Sequence, residues 1–319
     1  MIVWKKQMEV ITACMSCSSE NLQPFAEMKA QMHGADERFS FVRCADCGLI
    51  QLNPRVKPED LGVYYREYYL PFRGPSAWGR YVPLVAMNLA KTDRRRTKIA
   101  RKAVVIGRDS RVLDVGCGKP SFLKLLNEKT GCGAKGIDFS DEGWRNEADR
   151  YRNLELEVAE FTDFTSEKSF DLITMWHYLE HDYDPRATLE KMRTLLTPGG
   201  RLVIEVPNYD SWTRVLQGPN WEGYHTPRHT AVYSPVTLRR LLNNSGWRIE
   251  QLYPFGTLDP YPLFWMGRQE KKGIDWSRSM EDKFLGFMAG MLVTFPLFLF
   301  KRWFPAGLMT VIARPAESD

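Results

Sequence analysis

The sequence predicts an α/β protein built on a Rossmann-like, mostly parallel sheet, with a small cysteine-bearing module ahead of it and an apolar helical insertion near its C-terminal end. Three observations carry this expectation. The stretch RVLDVGCGKPSFLKLL, from Arg111, runs a hydrophobic strand into a glycine-rich turn and an amphipathic helix, and the next strand, AKGIDFS, ends in Asp138, twenty residues after Gly118. Two CxxC pairs, CMSC and CADC, precede it, and FLGFMAGMLVTFPLFLFKRWF (residues 284–304) follows it, with no charge between Lys283 and Lys301.

A chain of 319 residues can bury a substantial core in one large domain or two smaller ones. The opening MIVWKKQMEVITAC has no apolar stretch long enough for a secretory signal, so the expected location is the cytoplasm. Formal charge is +5, yet KTDRRRTKIARK (residues 91–102) alone contributes a net +6, leaving the remainder near neutrality. Arg94, Lys98, Arg101 and Lys102 fall on one helical face. That face reads either as a solvated surface or as an attractor of phosphate-bearing substrates and anionic lipid.

Taken in order, the N-terminal module comes first. Cys14 and Cys17, then Cys44 and Cys47 after a spacer of twenty-six residues, can present four thiolates to one tetrahedral zinc. Four sulfurs leave no position for water, so the expected role is structural, and Gly48 suits the tight turn after the second pair. Residues 1–55 are thus expected as a zinc ribbon. Residues 56–104 are expected as connecting helices that include the aromatic YYREYY and the basic segment.

From Arg111 onward the residues resemble class I S-adenosylmethionine-dependent methyltransferases. DVGCG matches that family's first motif, GIDFS its ribose-binding acid, SFDLITMWHYLEHDYDP its fourth-strand motif, and LLTPGGRLVIEVPN the turn and strand that follow. Pro120 stands where the family usually has a third glycine. The resemblance implies a seven-stranded sheet with an antiparallel last strand, over residues 105–253 and 308–319, and S-adenosylmethionine as cofactor. It also implies that Asp114, Gly116 and Gly118 line the methionine and sugar, that Asp138 binds the ribose hydroxyls, and that Phe139, Glu160, Trp176 and His177 complete the cofactor site.

Four of the five histidines lie in two clusters, WHYLEH and GYHTPRHT. Transfer to a hydroxyl requires loss of its proton, which makes histidine the natural base. His229, His181 and His225 are the candidates, each with the alternative of bracing a loop. The LEH sequence is similar to the same position in quinone O-methyltransferases, some of which use a metal, so a divalent ion beside Glu180 and His181 is a further expectation.

The sixth and seventh strands of such a sheet form an antiparallel pair, so the connection at residues 254–307 must leave and return to one edge and needs structure of its own. Seventeen uncharged residues rise about 25 Å as helix, short of a bilayer core of about 30 Å, and Pro296 interrupts them. Phe284, Phe287, Met288, Met291 and Phe295 recur at helical spacing opposite the smaller Gly286, Ala289, Gly290 and Val293. The larger stripe reads as facing lipid, an apolar acceptor or core, with the smaller side packed on the domain.

The expected activity is methyl transfer to a small-molecule acceptor, with a hydroxyl of a sugar, lipid-like or natural-product intermediate favoured and nitrogen or carbon left open. Small-molecule methyltransferases of sugar, antibiotic and quinone pathways are the nearest resemblance. The alternatives are an RNA methyltransferase gripping its substrate through the zinc module, and a noncatalytic binding protein. The expected partners are an acceptor bearing an apolar or phosphate group, the cytoplasmic membrane face and a second copy of the chain; DNA is not expected.

Overall fold

Short strands of alternating burial build the molecule. In the computed structural model residues 6–34, 36–65, 69–300 and 303–316 are described. Arg66, Glu67 and Tyr68 of the YYREYY stretch, Lys301 and Arg302 of the apolar run, and the ends of the expected zinc ribbon and methyltransferase domain lie outside the described residues. Strands β1 (Leu22–Lys29), β2 (Arg38–Cys44) and β3 (Ile50–Leu52) form an antiparallel meander. A single helical turn at Pro58–Leu61 and a tighter one at Gly62–Tyr65 follow, and then α1 (Val82–Ala103), whose second half carries the basic segment.

The main sheet comprises β4 (Arg111–Val115), β5 (Gly133–Asp138), β6 (Glu155–Val158), β7 (Phe170–Trp176), β8 (Leu196–Pro207), β10 (Trp247–Tyr253) and β11 (Leu308–Pro315). Their order is β10-β11-β8-β7-β4-β5-β6. The sheet is parallel except that β11 runs antiparallel to both β8 and β10. This is the seven-stranded arrangement with an antiparallel last strand that the sequence leads one to expect.

Alternate residues of each inner strand serve opposite faces, as a two-residue period requires. Leu113, Ile173, Leu202 and Val311 pack with Leu189 and Met192 of α3 (Pro185–Thr194) and with Leu238, Leu241 and Leu242 of α5 (Pro235–Asn244). Their neighbours Val112, Leu172, Val203 and Ile312 turn to the other face, against Ala100 of α1 and Phe122, Leu123 and Leu126 of α2 (Ser121–Thr130). Each such side chain contributes about 1.5–3 kcal/mol by leaving water. The parallel strands therefore hold their carboxyl ends, and the loops there, in a rigid row.

The N-terminal module is fused to this frame. β9 (Ala231–Val232), which follows the loop GYHTPRHT, pairs antiparallel with β3 and completes the order β9-β3-β2-β1. The connection from β10 to β11 contains α6 (Pro260–Lys271) and α7 (Phe284–Leu299), while α4 (Trp212–Gln217) lies after β8. Among the described residues no helix is long and apolar enough to cross a membrane.

In two respects the insertion departs from the sequence reading. Pro296 lies inside α7 and does not end it; one missing N–H within a turn of the helix end removes a single i→i−4 bond. The five-residue stripe also divides. Phe284 and Phe287 are buried, Met291 is half-buried, and Met288 and Phe295 are exposed, whereas Gly286, Ala289 and Val293 of the smaller side face outward. Aromatic partners explain the rotation: Tyr81 stacks on Phe284 at 3.9 Å, Trp78 lies 5.0 Å from Phe287, and a side chain at Gly290 would strike Tyr261.

Candidate active site

The glycine-rich turn after β4 brings backbone to the strand ends. Gly116 and Gly118 have φ values of +69° and +49°, a region that side-chain-bearing residues rarely adopt. At Gly118 the space where a Cβ would stand is open, and the residue's N–H donates to Asp138 Oδ2 at 2.9 Å. The Ser140 N–H donates to Oδ1 at 3.1 Å, so the carboxylate is held at the end of β5 with remaining lone pairs free to accept hydroxyls. Burial raises the Asp138 pKa against the effect of these N–H groups, and the Glu160 carboxylate nearby raises it further.

Asp114 is buried under the turn, where Thr174 donates to it at 2.5 Å; burial pushes its pKa to about 7. Trp176 is also buried, with its indole N–H unpaired, and the guanidinium of Arg96 from α1 lies 5.1 Å from its ring centre. Phe139, by contrast, is largely exposed. The left-handed turn, the anchored acid and the orphaned indole N–H suit an adenosine-bearing cofactor.

A line of rings leads from that place to the histidines. Phe139 lies 5.9 Å from Tyr65, Tyr65 is 6.4 Å from His181, His181 is 4.6 Å from His229, and His229 is 4.9 Å from His225. His229 Nδ1 donates to the Gly223 carbonyl at 2.8 Å, which leaves Nε2 with the lone pair of the neutral ring. Burial lowers the His181 pKa and takes those of His229 and His225 well below the ordinary value, so these rings are neutral at pH 7.

Acidic groups adjoin them. The carboxylate of Glu180, fully buried and 3.3 Å from His177 Nδ1, lies with one ring nitrogen each of His181 and His229 inside a span of 4.8 Å. Glu222 is buried with both oxygens unpaired, and burial raises its pKa to about 8. Buried polar atoms are rarely left unpaired, so this cluster has the chemistry of a ligand site. The loop is pinned by buried Arg228, which donates to the carbonyls of Tyr64, Gln31 and Met32 and lies 4.5 Å from the Tyr69 ring centre.

His177 is placed differently. At φ +60° it sits between Glu180 (3.3 Å) and Glu205 (3.2 Å), and Glu205 also accepts from Thr257 and Thr310. Burial alone would lower the His177 pKa, but the two carboxylates raise it to about 9. Because the folded value exceeds the unfolded one of about 6.5, the stabilisation is complete below pH 6.5 and is lost as pH rises through 9. The melting temperature of the native chain should therefore fall between pH 6.5 and 9.5 by roughly 2–4 °C more than that of His177→Gln. Parallel scanning calorimetry checks this, and equal slopes would remove the ion pairs as the cause.

The four cysteines gather around the turn that joins β2 to β3. Cys14 and Cys47 sulfurs are 3.4 Å apart, Cys17 and Cys44 sulfurs 3.6 Å, and all four lie within 4.8 Å. Thiolates on a tetrahedral zinc at about 2.3 Å stand about 3.8 Å from one another, so the cluster fits that ion. Ser16 and Leu49 N–H groups point at Cys14 and Cys47, and Gly48 turns the second knuckle at φ +82°.

Sequence reasoning did not single out Tyr65, Tyr69, Glu205, Glu222, Arg96 or Arg228 individually. Tyr65 and Tyr69 belong to the aromatic stretch and Glu222 to the histidine loop, but the contacts of Tyr65 with His181 and of Tyr69 with His225 join segments far apart in the chain.

A family model described as a methyltransferase domain matches residues 88–252. The ubiquinone biosynthesis O-methyltransferase of Xanthomonas euvesicatoria is 28% identical over 188 residues, covering 54% of this chain and 75% of that protein. The enzyme of the same name from Coxiella burnetii is 27% identical over 149 residues, covering 43% of this chain and 63% of that one. Among solved structures, Burkholderia thailandensis 1,6-didemethyltoxoflavin-N1-methyltransferase, with 1,6-didemethyltoxoflavin and S-adenosylhomocysteine bound, is similar at a TM-score of 0.51 and 13% identity, covering 92% of this chain and 100% of that one. A putative sarcosine dimethylglycine methyltransferase from Galdieria sulphuraria reaches 0.50 at 15% identity, covering 73% and 88%. At these identities the structural likeness bears on the fold.

Proposed function

The chain belongs to the methyltransferase-domain family, as a class I S-adenosylmethionine-dependent enzyme, and from that premise we propose that it methylates a hydroxyl of a small-molecule acceptor seated against the histidine cluster. The observation that carries the reading is the buried group of neutral His181, His225 and His229 beside Glu180 and the unpaired Glu222, joined by Tyr65 to the Phe139 end of β5. An oxygen acceptor has further support in the O-methyltransferase relatives, and a sugar, lipid-like or natural-product hydroxyl fits the orphaned acceptors of the pocket.

The cofactor supplies a methyl carbon already activated by a sulfonium, so the chain's task is positioning and proton removal. Asp138 accepts the ribose hydroxyls, Gly116 and Gly118 let the backbone approach, and Asp114, Phe139, Glu160 and Trp176 close the site. Arg96, a cation beside Trp176, suits the methionine carboxylate. His177 braces the loop through its two carboxylates. His229 takes the acceptor proton on Nε2, with its Nδ1–H held by Gly223, and His181 and His225 shape the same pocket. The four cysteines hold a structural zinc.

Incubation with labelled cofactor and cell extract, followed by identification of the labelled product, tests the activity. With that acceptor, His229→Ala should lower kcat by about 10²–10⁴-fold with cofactor affinity unchanged in calorimetry. Full turnover would remove His229 as base. A low-lying base pKa also predicts a rate that stays flat as pH falls from 8 to 6.5.

A second reading has its own observation: the spacing of Glu180, His181 and His229 suits a divalent ion that would hold the acceptor oxygen and favour its ionisation. Chelator at a level that spares the four-cysteine zinc would then abolish turnover, and added magnesium or manganese would restore it. Unchanged turnover would leave His229 as the base.

A further inference from the structure

Most of the large apolar side chains that are exposed among the described residues lie on neighbouring segments at one side of the molecule. The outward arc of α7 carries Leu285, Leu292, Val293 and Leu297, with Leu292 and Val293 exposed at 76% and 78%. Its inward arc, through Phe284 and Phe287, packs on Tyr81, Trp78, Tyr261 and Trp265. A helix apolar all round is ordinarily buried all round. Here the outward arc is exposed among the described residues.

The patch extends on both sides. Through Tyr81 it continues onto the first half of α1, where Leu84 and Met87 are exposed; through Phe304, 5.6 Å from Trp212, it continues onto α4, where Trp212 and Leu216 are exposed. The same outward stripe of α1 then changes character. Leu84 and Met87 are followed at three- and four-residue spacing by Lys91, Arg94, Lys98 and Arg101, all exposed. Arg95 and Arg96 turn inward instead, to Asp259 and Trp176. Lys283 precedes the uncharged stretch of α7, and the sequence places Lys301 and Arg302 directly after it.

We propose that α7, the first half of α1 and α4 form a face that docks on an anionic lipid bilayer, with the apolar residues at the acyl boundary and the Lys91–Arg101 stripe among the phosphates. Apolar side chains bordered by cations are the combination that interfacial binding selects, and each cation near an anionic surface adds attraction. The charge pattern also argues against a second copy as the occupant. A two-fold contact centred on α7 presents the same basic stripe from both partners, which brings like charges to one rim. The proposal rests on the methyltransferase reading only in one respect: Leu70, next to the Tyr69 that touches His225, packs in the same cluster as Phe284, so the docked face adjoins the acceptor pocket.

Cosedimentation of the full chain with phosphatidylcholine vesicles, with and without phosphatidylglycerol, tests it. Binding to the anionic vesicles is expected, weaker by about tenfold or more on neutral vesicles or at high salt. The double substitution Leu292→Glu and Val293→Glu should abolish binding to both. Lys98→Glu with Arg101→Glu should remove the preference for anionic lipid. All four positions are exposed, and unchanged S-adenosylmethionine affinity in each variant reports that the fold is kept. A wild-type chain that stays in the supernatant overturns the proposal. So does a dimer in light scattering that Leu292→Glu and Val293→Glu convert to monomer without any vesicle binding. Vesicle binding in a chain that methylates nothing in extract would instead defeat the functional reading and leave the docking face standing.

Discussion

Asp138→Ala should lower the affinity for S-adenosylmethionine by about a hundredfold in calorimetry, equivalent to about 2.7 kcal/mol. The magnitude follows from the acid's position at the end of β5, where it is anchored by the Gly118 and Ser140 N–H groups with lone pairs left over. Hydrogen bonds to a charged acceptor contribute about 1.5–3 kcal/mol each, and a ribose offers two hydroxyls. The substitution also releases the Gly118 N–H, so the glycine turn loses its tether at the same time. Unchanged affinity would refute the ribose assignment. His229→Ala, measured in the same way, should leave affinity intact, which separates the two ends of the site.

Cys44→Ser should take the zinc content from about one equivalent per chain to near none by metal analysis, and should abolish cooperative thermal unfolding of the small sheet. A structural zinc site of four cysteines contributes about 10–16 kcal/mol of apparent binding free energy that becomes folding free energy. Cys44 is fully buried, ends β2, and shares a cluster with core residues of the main sheet and its helices, among them Leu113 of β4 and Leu241 of α5. Because β9 follows directly from the histidine loop and pairs with β3, the loss should spread to the acceptor pocket, with cofactor binding affected least. A metal-free variant that melts at the wild-type temperature would show that the cysteines stabilise the fold without an ion.

Local chemistry made much of this legible. A hydrophobic strand ending in DVGCG can only turn where glycine tolerates positive φ, so the backbone's approach to a ligand at Gly116 and Gly118 is written in two residues. The spacing to Asp138 spans one strand–helix–strand unit and therefore predicts its placement beside that turn. Two CxxC pairs predict a four-sulfur cluster because each pair is a local knuckle. The insertion was legible as a length of chain bound to return to one sheet edge, but the arc that α7 buries was not. Phe and Met at helical spacing satisfy either face, and only the aromatic rings of Tyr81, Trp78 and Tyr261 choose between them.

The sequence by itself determined the glycine turn, the acid beside it and the cysteine cluster, because each arises from short-range geometry, while the sheet was what its resemblance to methyltransferases implied. Tertiary structure alone decided that Tyr65 and Glu180 meet the clustered histidines, that His177 is held by Glu205, and that α7 and the first half of α1 leave large apolar side chains exposed. Those juxtapositions join residues from 28 positions apart, His177 and Glu205, to more than a hundred, Tyr65 and His181. Their physical cause is the packing of loops and helices on a common sheet, which no local pattern encodes.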